Sequence, residues 1–190
     1  MKKIISFIAF ISLLFASQSS TFAATSHTVQ KGETYWKIAN AYGVSVDGLM
    51  SVNHANSNVL FVGQTLTVPT VSITSSEKDL LARLVEAEAK GEPYAGKVAV
   101  ATVILNRVDS NLFPNSVKSV IYQSGQFTPV SNGQINNPAS SASKQAVNEA
   151  IAFHGQGHGS LYFYNPSKTT NTWLRSKTVT IKIGNHVFAK

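Results

Sequence analysis

The chain has 190 residues, no cysteine and a formal net charge of +7, which allows one medium domain or two small ones. Without cysteine its stability does not rest on disulfides, and its 16 basic residues are scattered rather than gathered into a nucleic-acid-binding stripe. The basic excess points instead to an anionic partner such as a lipid or an extended polymer.

The chain opens MKKIISFIAFISLLFASQSSTFA. Lys2 and Lys3 form a positive n-region, Ile4 to Ala16 an apolar run too short to span a bilayer, and Thr21-Phe22-Ala23 a peptidase site. Residues 1–23 read as a signal peptide cleaved after Ala23, with Ala24 the next best site. No second long apolar stretch follows, so the mature protein is not expected to be an integral membrane protein. Cleavage leaves 14 basic and 9 acidic residues, and the excess lies entirely in residues 77–190, which carry 12 basic and 7 acidic groups. Nucleic acid is not expected as a partner, because export separates the protein from it; an anionic wall polymer fits better.

His27 to Gln30 predicts a strand. Thr34 caps a helix that runs to Tyr42 and stops at Gly43, a residue that tolerates the left-handed C′ conformation. Ser45 caps a second short helix, and Gln64 to Val68 alternates as a returning strand. A βααβ unit of this size is near the lower limit for a free-standing core. Along its whole length, residues 27–69, this stretch resembles the LysM domain. The match includes Thr28-Val29, Lys31-Gly32-Glu33-Thr34, Trp36, Ile38-Ala39, Tyr42-Gly43-Val44, Asn53 and the close Val62-Gly63-Gln64-Thr65-Leu66. The resemblance implies binding of N-acetylglucosamine-containing glycans through two loops, Gly32 to Tyr35 and Asn58 to Phe61. The candidate contacts are Gly32, Glu33, Thr34, Tyr35, Leu60 and Phe61. Trp36 and Ile38 read as core. Tyr35 replaces the aliphatic residue usual in the family and either stacks on a sugar or lies on the surface.

Residues 70–76, TVSITSS, are hydroxyl-rich and uncharged, and read as a linker. Ser76 with Asp79 suggests a capping box for a helix from Glu77 to Lys90, ended by Gly91. Pro93 suits the first turn of the next helix, PYAGKVAVATVILNRV, whose nearly all-round apolarity marks a central element. NLFPNS is a turn, and Val120-Ile121-Tyr122 a short helix or strand. Residues 125–141 read as a long polar loop, 142–153 as a helix, and the C-terminal stretch as two short strands around an irregular loop. The fold class expected is α+β: a small βααβ module plus a mainly helical domain, residues 77–190, with a small β-element.

One carboxylate stands out. At ~100° per residue Leu81, Leu84, Val85 and Glu88 share one face, whereas Glu86 lies about 140° from Leu81, where it should meet water. A carboxyl on an apolar stripe is desolvated, which raises its pKa toward the range a general acid needs. The alternative is a buried glutamate held by Arg83, Arg107 or a backbone amide. Glu77 and Asp79 suit a helix start, Asp109 follows a helix end and Glu149 projects outward. Glu92, about one turn beyond Glu88, is the second candidate.

Beside this reading stands a second resemblance. Leu81-Ala82-Arg83-Leu84-Val85, Ala87-Glu88-Ala89, Gly91-Glu92-Pro93-Tyr94, Leu105-Asn106-Arg107-Val108, Gly125-Gln126-Phe127, Tyr164-Asn165-Pro166 and Gly184-Asn185-His186-Val187-Phe188 look like the spore cortex-lytic (SleB/CwlJ) cell wall hydrolase family. The resemblance implies a lysozyme-like, lytic-transglycosylase-like fold and places the catalytic glutamate on Glu88. A lytic transglycosylase works with one carboxyl, whereas an ordinary glycosidase needs two. Glu92, Gln126, Thr128, Tyr164 and Asn165 are then substrate-positioning groups, with Thr128 where the family often has serine. The expected partner is the GlcNAc–MurNAc strand of peptidoglycan, in the wall or spore envelope outside the cell. The competing readings are an N-acetylmuramoyl-L-alanine amidase and a non-catalytic wall-binding protein. Amidases of that kind commonly hold zinc, but HExxH is absent and His154 and His158 lie in glycine-rich HGQGH, so no metal and no cofactor are expected.

Overall fold

The computed structural model describes residues 25–69, 73–156 and 158–190. The expected signal peptide and residues 70–72 of the expected linker lie outside the described residues. Among the described residues no helix is long and apolar enough to cross a membrane.

In the N-terminal module β1 (Thr25–Thr28) pairs antiparallel with β2 (Thr65–Val68), Thr25 opposite Val68 and Thr28 opposite Thr65. Between them run α1 (Tyr35–Tyr42) and α2 (Val46–Val52). The caps are those the sequence predicts. Thr34 accepts from the Lys37 amide, Ser45 accepts from the Gly48 amide, and Gly43 closes α1 at φ 61°. The first strand begins two residues earlier than expected, because its register against Val68 recruits Thr25 and Ser26. Ile38, Ala39, Leu49 and Leu66 are each at most 1% exposed and form the core.

Two aromatic side chains depart from expectation. Tyr35 is only 3% exposed and belongs to the core, so it neither stacks on a sugar nor lies on the surface. Trp36 is 37% exposed and lies outside this core. Helical geometry explains both: Tyr35 precedes Ile38, Ala39 and Tyr42 by three, four and seven positions, and Trp36 is turned ~100° off that stripe.

The C-terminal domain is built on α3 (Ser75–Glu88), α4 (Tyr94–Asp109) and α7 (Ser141–Ala152). Short helices α5 (Val117–Ile121), α6 (Thr128–Ser131) and α8 (Thr172–Arg175) fill the edges. A three-stranded antiparallel sheet closes one side, with β5 (His186–Ala189) between β3 (Tyr162–Tyr164) and β4 (Val179–Ile183). Leu81, Leu84, Val85, Val100, Val103, Ile104, Val120 and Ile121 are all fully buried in one cluster. Each aliphatic side chain so buried contributes about 1.5–3 kcal/mol.

Three local expectations are corrected. Helix α3 starts at Ser75, inside the segment read as linker, because Thr74 and Glu77 form the capping box rather than Ser76 and Asp79. Thr74-Ser-Ser-Glu77 has the longer glutamate reach back to the cap amide, which an aspartate at Asp79 cannot match. Residues 125–141 are not one polar loop: they hold α6 and a 3₁₀ turn at Gln134–Asn136, with Phe127, Pro129 and Ile135 buried. The C-terminal stretch makes three strands and a helix rather than two strands.

The two modules touch through α1 and α7. The Trp36 and Phe153 rings are 6.1 Å apart, and Ala152, at the end of α7, is part of the N-terminal module's core. Lys78 Nζ donates to the Gly43 carbonyl at 3.0 Å, and Gln156 Nε2 to Asp47 at 3.4 Å. Trp36, though outside its own core, therefore has a packing partner.

Candidate active site

Helix α3 ends at Glu88, and its apolar stripe ends with it. Leu81, Leu84 and Val85 are fully buried in the domain core, whereas Glu88 emerges half-buried on a cleft of about 900 Å³. The same cleft is lined by Glu92, Gln126, Thr128, Tyr164 and Asn165, so all six residues singled out in this domain converge. They come from four places in the chain: the end of α3, the turn before α4, the approach to α6, and the end of β3.

Burial raises the Glu88 pKa above the usual carboxylate range. Among the described residues no hydrogen-bond donor reaches its carboxylate. Arg83 is engaged by Asp79 at 3.0 Å and by the Ile135 carbonyl at 2.9 Å. Arg107 is engaged by the Leu161 carbonyl at 2.7 Å and Gln126 Oε1 at 3.2 Å. The alternative of a glutamate held by either arginine therefore does not describe this side chain.

Glu86 corrects its expectation. It does not simply face water: Ser143 Oγ donates to it at 2.7 Å, the Ser140 amide at 3.3 Å, Ser140 Oγ also, and Lys97 Nζ lies at 3.8 Å. The hydroxyls of Ser140 and Ser143 foremost hold its pKa down at about 2. Its direction on α3 points toward the N-terminus of α7, a partner invisible to the helical pattern of α3 alone.

Glu92 is also occupied. Its carboxylate accepts from the Asn185 amide at 2.9 Å and Asn185 Nδ2 at 3.1 Å. Desolvation pushes its pKa up, but the two Asn185 bonds, with the nearby Lys168 charge, outweigh this and lower it.

Arg107 is the residue whose part in the cleft the sequence reading missed. It is 5% exposed, and its guanidinium lies 4.7 Å from the Phe113 ring centroid, 5.5 Å from Phe127 and 5.8 Å from Tyr162. Burial brings its pKa down to about 10, so it remains charged at neutral pH. It grips the carbonyl end of Gln126 and leaves the amide N–H₂ free to face a ligand. An arginine closing an otherwise apolar helix was the available signal. Trp173, 53% exposed, adds an aromatic wall; Tyr162 meets it edge-on at 5.1 Å and Lys177 Nζ lies 4.0 Å over its ring.

The N-terminal candidates scatter more. Thr34 is spent as the α1 cap, Glu33 accepts from His27 and the Gln30 amide, and Leu60 is half-buried against the core. Tyr35 is inside. Gly32 stands in an open turn at φ 81°, and Phe61 is 71% exposed beside exposed Val59 and Val62. Among the described residues no cluster of three or more His, Cys, Asp or Glu side chains could hold a metal ion.

Comparison with known proteins places this geometry. Residues 91–189 match the Cell Wall Hydrolase family and residues 27–69 the LysM domain. The spore cortex-lytic enzyme of Bacillus subtilis (strain 168) is 43% identical over 111 residues, 58% of this chain and 36% of that protein. That of Bacillus cereus (strain ATCC 14579) is 42% identical over 117 residues, 62% of this chain and 45% of that protein. The match thus spans less than half the length of either relative. The catalytic domain of the germination-specific lytic transglycosylase SleB from Bacillus anthracis superposes with a TM-score of 0.59 at 41% identity. It covers 65% of this chain and 100% of that one.

Proposed function

This chain belongs to the Cell Wall Hydrolase family, and from that premise we propose that it is a peptidoglycan lytic transglycosylase with Glu88 as its acid. The observation that carries the reading is a single desolvated carboxyl, raised in pKa and free of hydrogen-bonding partners among the described residues, on a large cleft. Protonated Glu88 gives its proton to the oxygen linking MurNAc to GlcNAc, and the C1–O bond breaks. Positive charge develops on C1 and the ring oxygen. The Glu88 carboxylate then takes the proton of the muramic 6-hydroxyl as O6 closes on C1. The products are a 1,6-anhydroMurNAc end and a new GlcNAc 4-hydroxyl; no water is consumed and Glu88 ends protonated. A general acid of this kind contributes about 10²–10⁴-fold.

Gln126, Thr128, Tyr164 and Asn165 surround the position the sugars would occupy, and Gln126 is preset by Arg107. In this reading residues 27–69 hold the glycan, with Gly32 and Phe61 as the accessible contacts. Residues 77–190 cut it, and the apolar N-terminus of the chain exports the whole to the wall or spore envelope. Spore cortex during germination is the substrate we favour, on the names of the relatives.

Mass spectrometry of soluble fragments released from vegetative and cortex-type peptidoglycan tests this. Glycans ending in 1,6-anhydroMurNAc are expected. Reducing sugars would replace the transglycosylase by a hydrolase, and free stem peptides would mean an amidase and a different site.

A further inference from the structure

His186 is a titratable group on the cleft that the mechanism above leaves unused. It opens β5, follows the turn Gly184-Asn185, and is only 8% exposed. Its ring is fixed edge-on to Phe163 at 5.4 Å and to Phe188 at 6.2 Å. Nδ1 is buried with no hydrogen-bond partner, yet the side chain lines the same cleft as Glu88.

Those facts fix the tautomer. A buried N–H without an acceptor costs more than a buried lone pair facing aromatic rings, so the proton belongs on Nε2. A second proton on Nδ1 has nowhere to bond, which agrees with the lowering of the His186 pKa, by burial first. His186 is therefore a neutral ring with one N–H.

What aims that ring is Glu92. Its carboxylate clasps both the amide and the side chain of Asn185, the residue before His186. The contact is close: a Cβ on Gly184 would clash with Glu92 Oε2 and lie 2.7 Å from Pro93 Cδ, and its φ is +56°. Only glycine lets the β4–β5 turn press against the start of α4 in this way.

We propose that His186 is a substrate-binding residue whose Nε2–H donates to an oxygen acceptor of the glycan. Glu92 is the positioning residue that holds it there through Asn185. The proposal rests on the glycan-cleaving reading above. It removes Glu92 from the list of second catalytic carboxylates, since both its oxygens are engaged in the clasp.

The test uses binding, so that it does not depend on turnover. Full mature protein carrying Glu88→Gln and ¹⁵N-labelled histidine is titrated with a GlcNAc–MurNAc tetrasaccharide. His186→Phe, which keeps an aromatic ring between Phe163 and Phe188, identifies the His186 resonances among the five histidines. An Nε2–H tautomer at pH 7 whose resonance moves on binding is expected, with affinity reduced about tenfold by His186→Phe. Glu92→Ala should weaken binding similarly, and the double variant no more than His186→Phe alone. An Nδ1–H tautomer, an unmoved resonance at saturating tetrasaccharide, or unchanged affinity in His186→Phe overturns the proposal. Additive losses overturn the role of Glu92. If the tetrasaccharide binds through His186 but the unsubstituted protein releases no anhydro sugars, the lytic reading fails and this one stands.

Discussion

Glu86 and Glu88 stand two positions apart on α3 and are driven in opposite directions: serine hydroxyls pull Glu86 down to about 2, while burial pushes Glu88 up. One side chain therefore ties α3 to the N-terminus of α7, and the other is left on the cleft with its protonated form favoured.

From this contrast follows the first prediction. Glu88 has a folded pKa above its unfolded value, so its contribution to stability is present below the unfolded pKa and lost as pH rises through the folded one. At neutral pH the ionised form is a liability to the fold. Glu88→Gln should abolish lytic activity, by about 10²–10⁴-fold, and at the same time raise Tm at pH 7. The activity of the unsubstituted protein should fall on the alkaline side as Glu88 loses its proton. A variant that keeps its activity, or whose Tm drops sharply, contradicts this assignment.

Glu86 gives the opposite sign. Its folded pKa is depressed, so its stabilisation is complete above the unfolded value near 4.5 and is lost as pH falls toward about 2. With a discount for its partial exposure, Glu86→Gln should cost on the order of 1–2 kcal/mol at pH 7. The loss should vanish near pH 2 in urea titrations. Fragment chemistry should be unchanged, since Glu86 does not line the cleft.

The legibility of these two glutamates differs for a physical reason. Periodicity within one helix records which face is apolar, and that sufficed for Glu88, as local capping sufficed for Thr34, Gly43 and Ser45. It does not record what another element brings. Ser140 lies 54 positions from Glu86 and Asn185 lies 93 from Glu92, so both carboxylates looked freer than they are. Trp36 failed similarly, because its packing partner Phe153 belongs to the other module. The segment 125–141 hid its buried Phe127, Pro129 and Ile135 among glycines and asparagines, spaced too irregularly for any period to show.

Arg107 tests how the cleft keeps its shape. The fork of its guanidinium holds the Leu161 carbonyl and Gln126 together under three aromatic rings. Lysine carries the charge without the fork or the planar face. Arg107→Lys should lower kcat/KM at least about tenfold and destabilise the domain by about 1–3 kcal/mol. Equal kinetics with lower Tm would reduce Arg107 to a structural anchor with no hold on Gln126.

Tyr35 and Phe61, both expected on the glycan side, should now separate. Tyr35→Ala empties a core position and should cost about 3–5 kcal/mol, melting the N-terminal module. Phe61→Ala removes an exposed ring and should leave the unfolding free energy within about 0.5 kcal/mol of its starting value. Pull-down on insoluble peptidoglycan should weaken for Phe61→Ala while cleavage of a soluble tetrasaccharide is unchanged. Full retention on the wall would exclude Phe61 from the binding face.

The contact of Trp36 with Phe153 packs the two modules against each other. An aromatic pair of this kind adds about 0.5–1.5 kcal/mol beyond its buried area, and it is joined by Lys78 on Gly43. Burial strips solvation from the Lys78 ammonium, which lowers its pKa and leaves it leaning on that carbonyl. Phe153→Asp sets a carboxylate against the Trp36 ring and should part the modules. Small-angle scattering should then show a larger radius of gyration. Cleavage of soluble fragments should persist, and cleavage of insoluble wall should slow several-fold, because a held glycan no longer lies at a fixed offset from Glu88. An unchanged radius, or equal losses on soluble and insoluble substrate, would show that the contact does not orient the two modules.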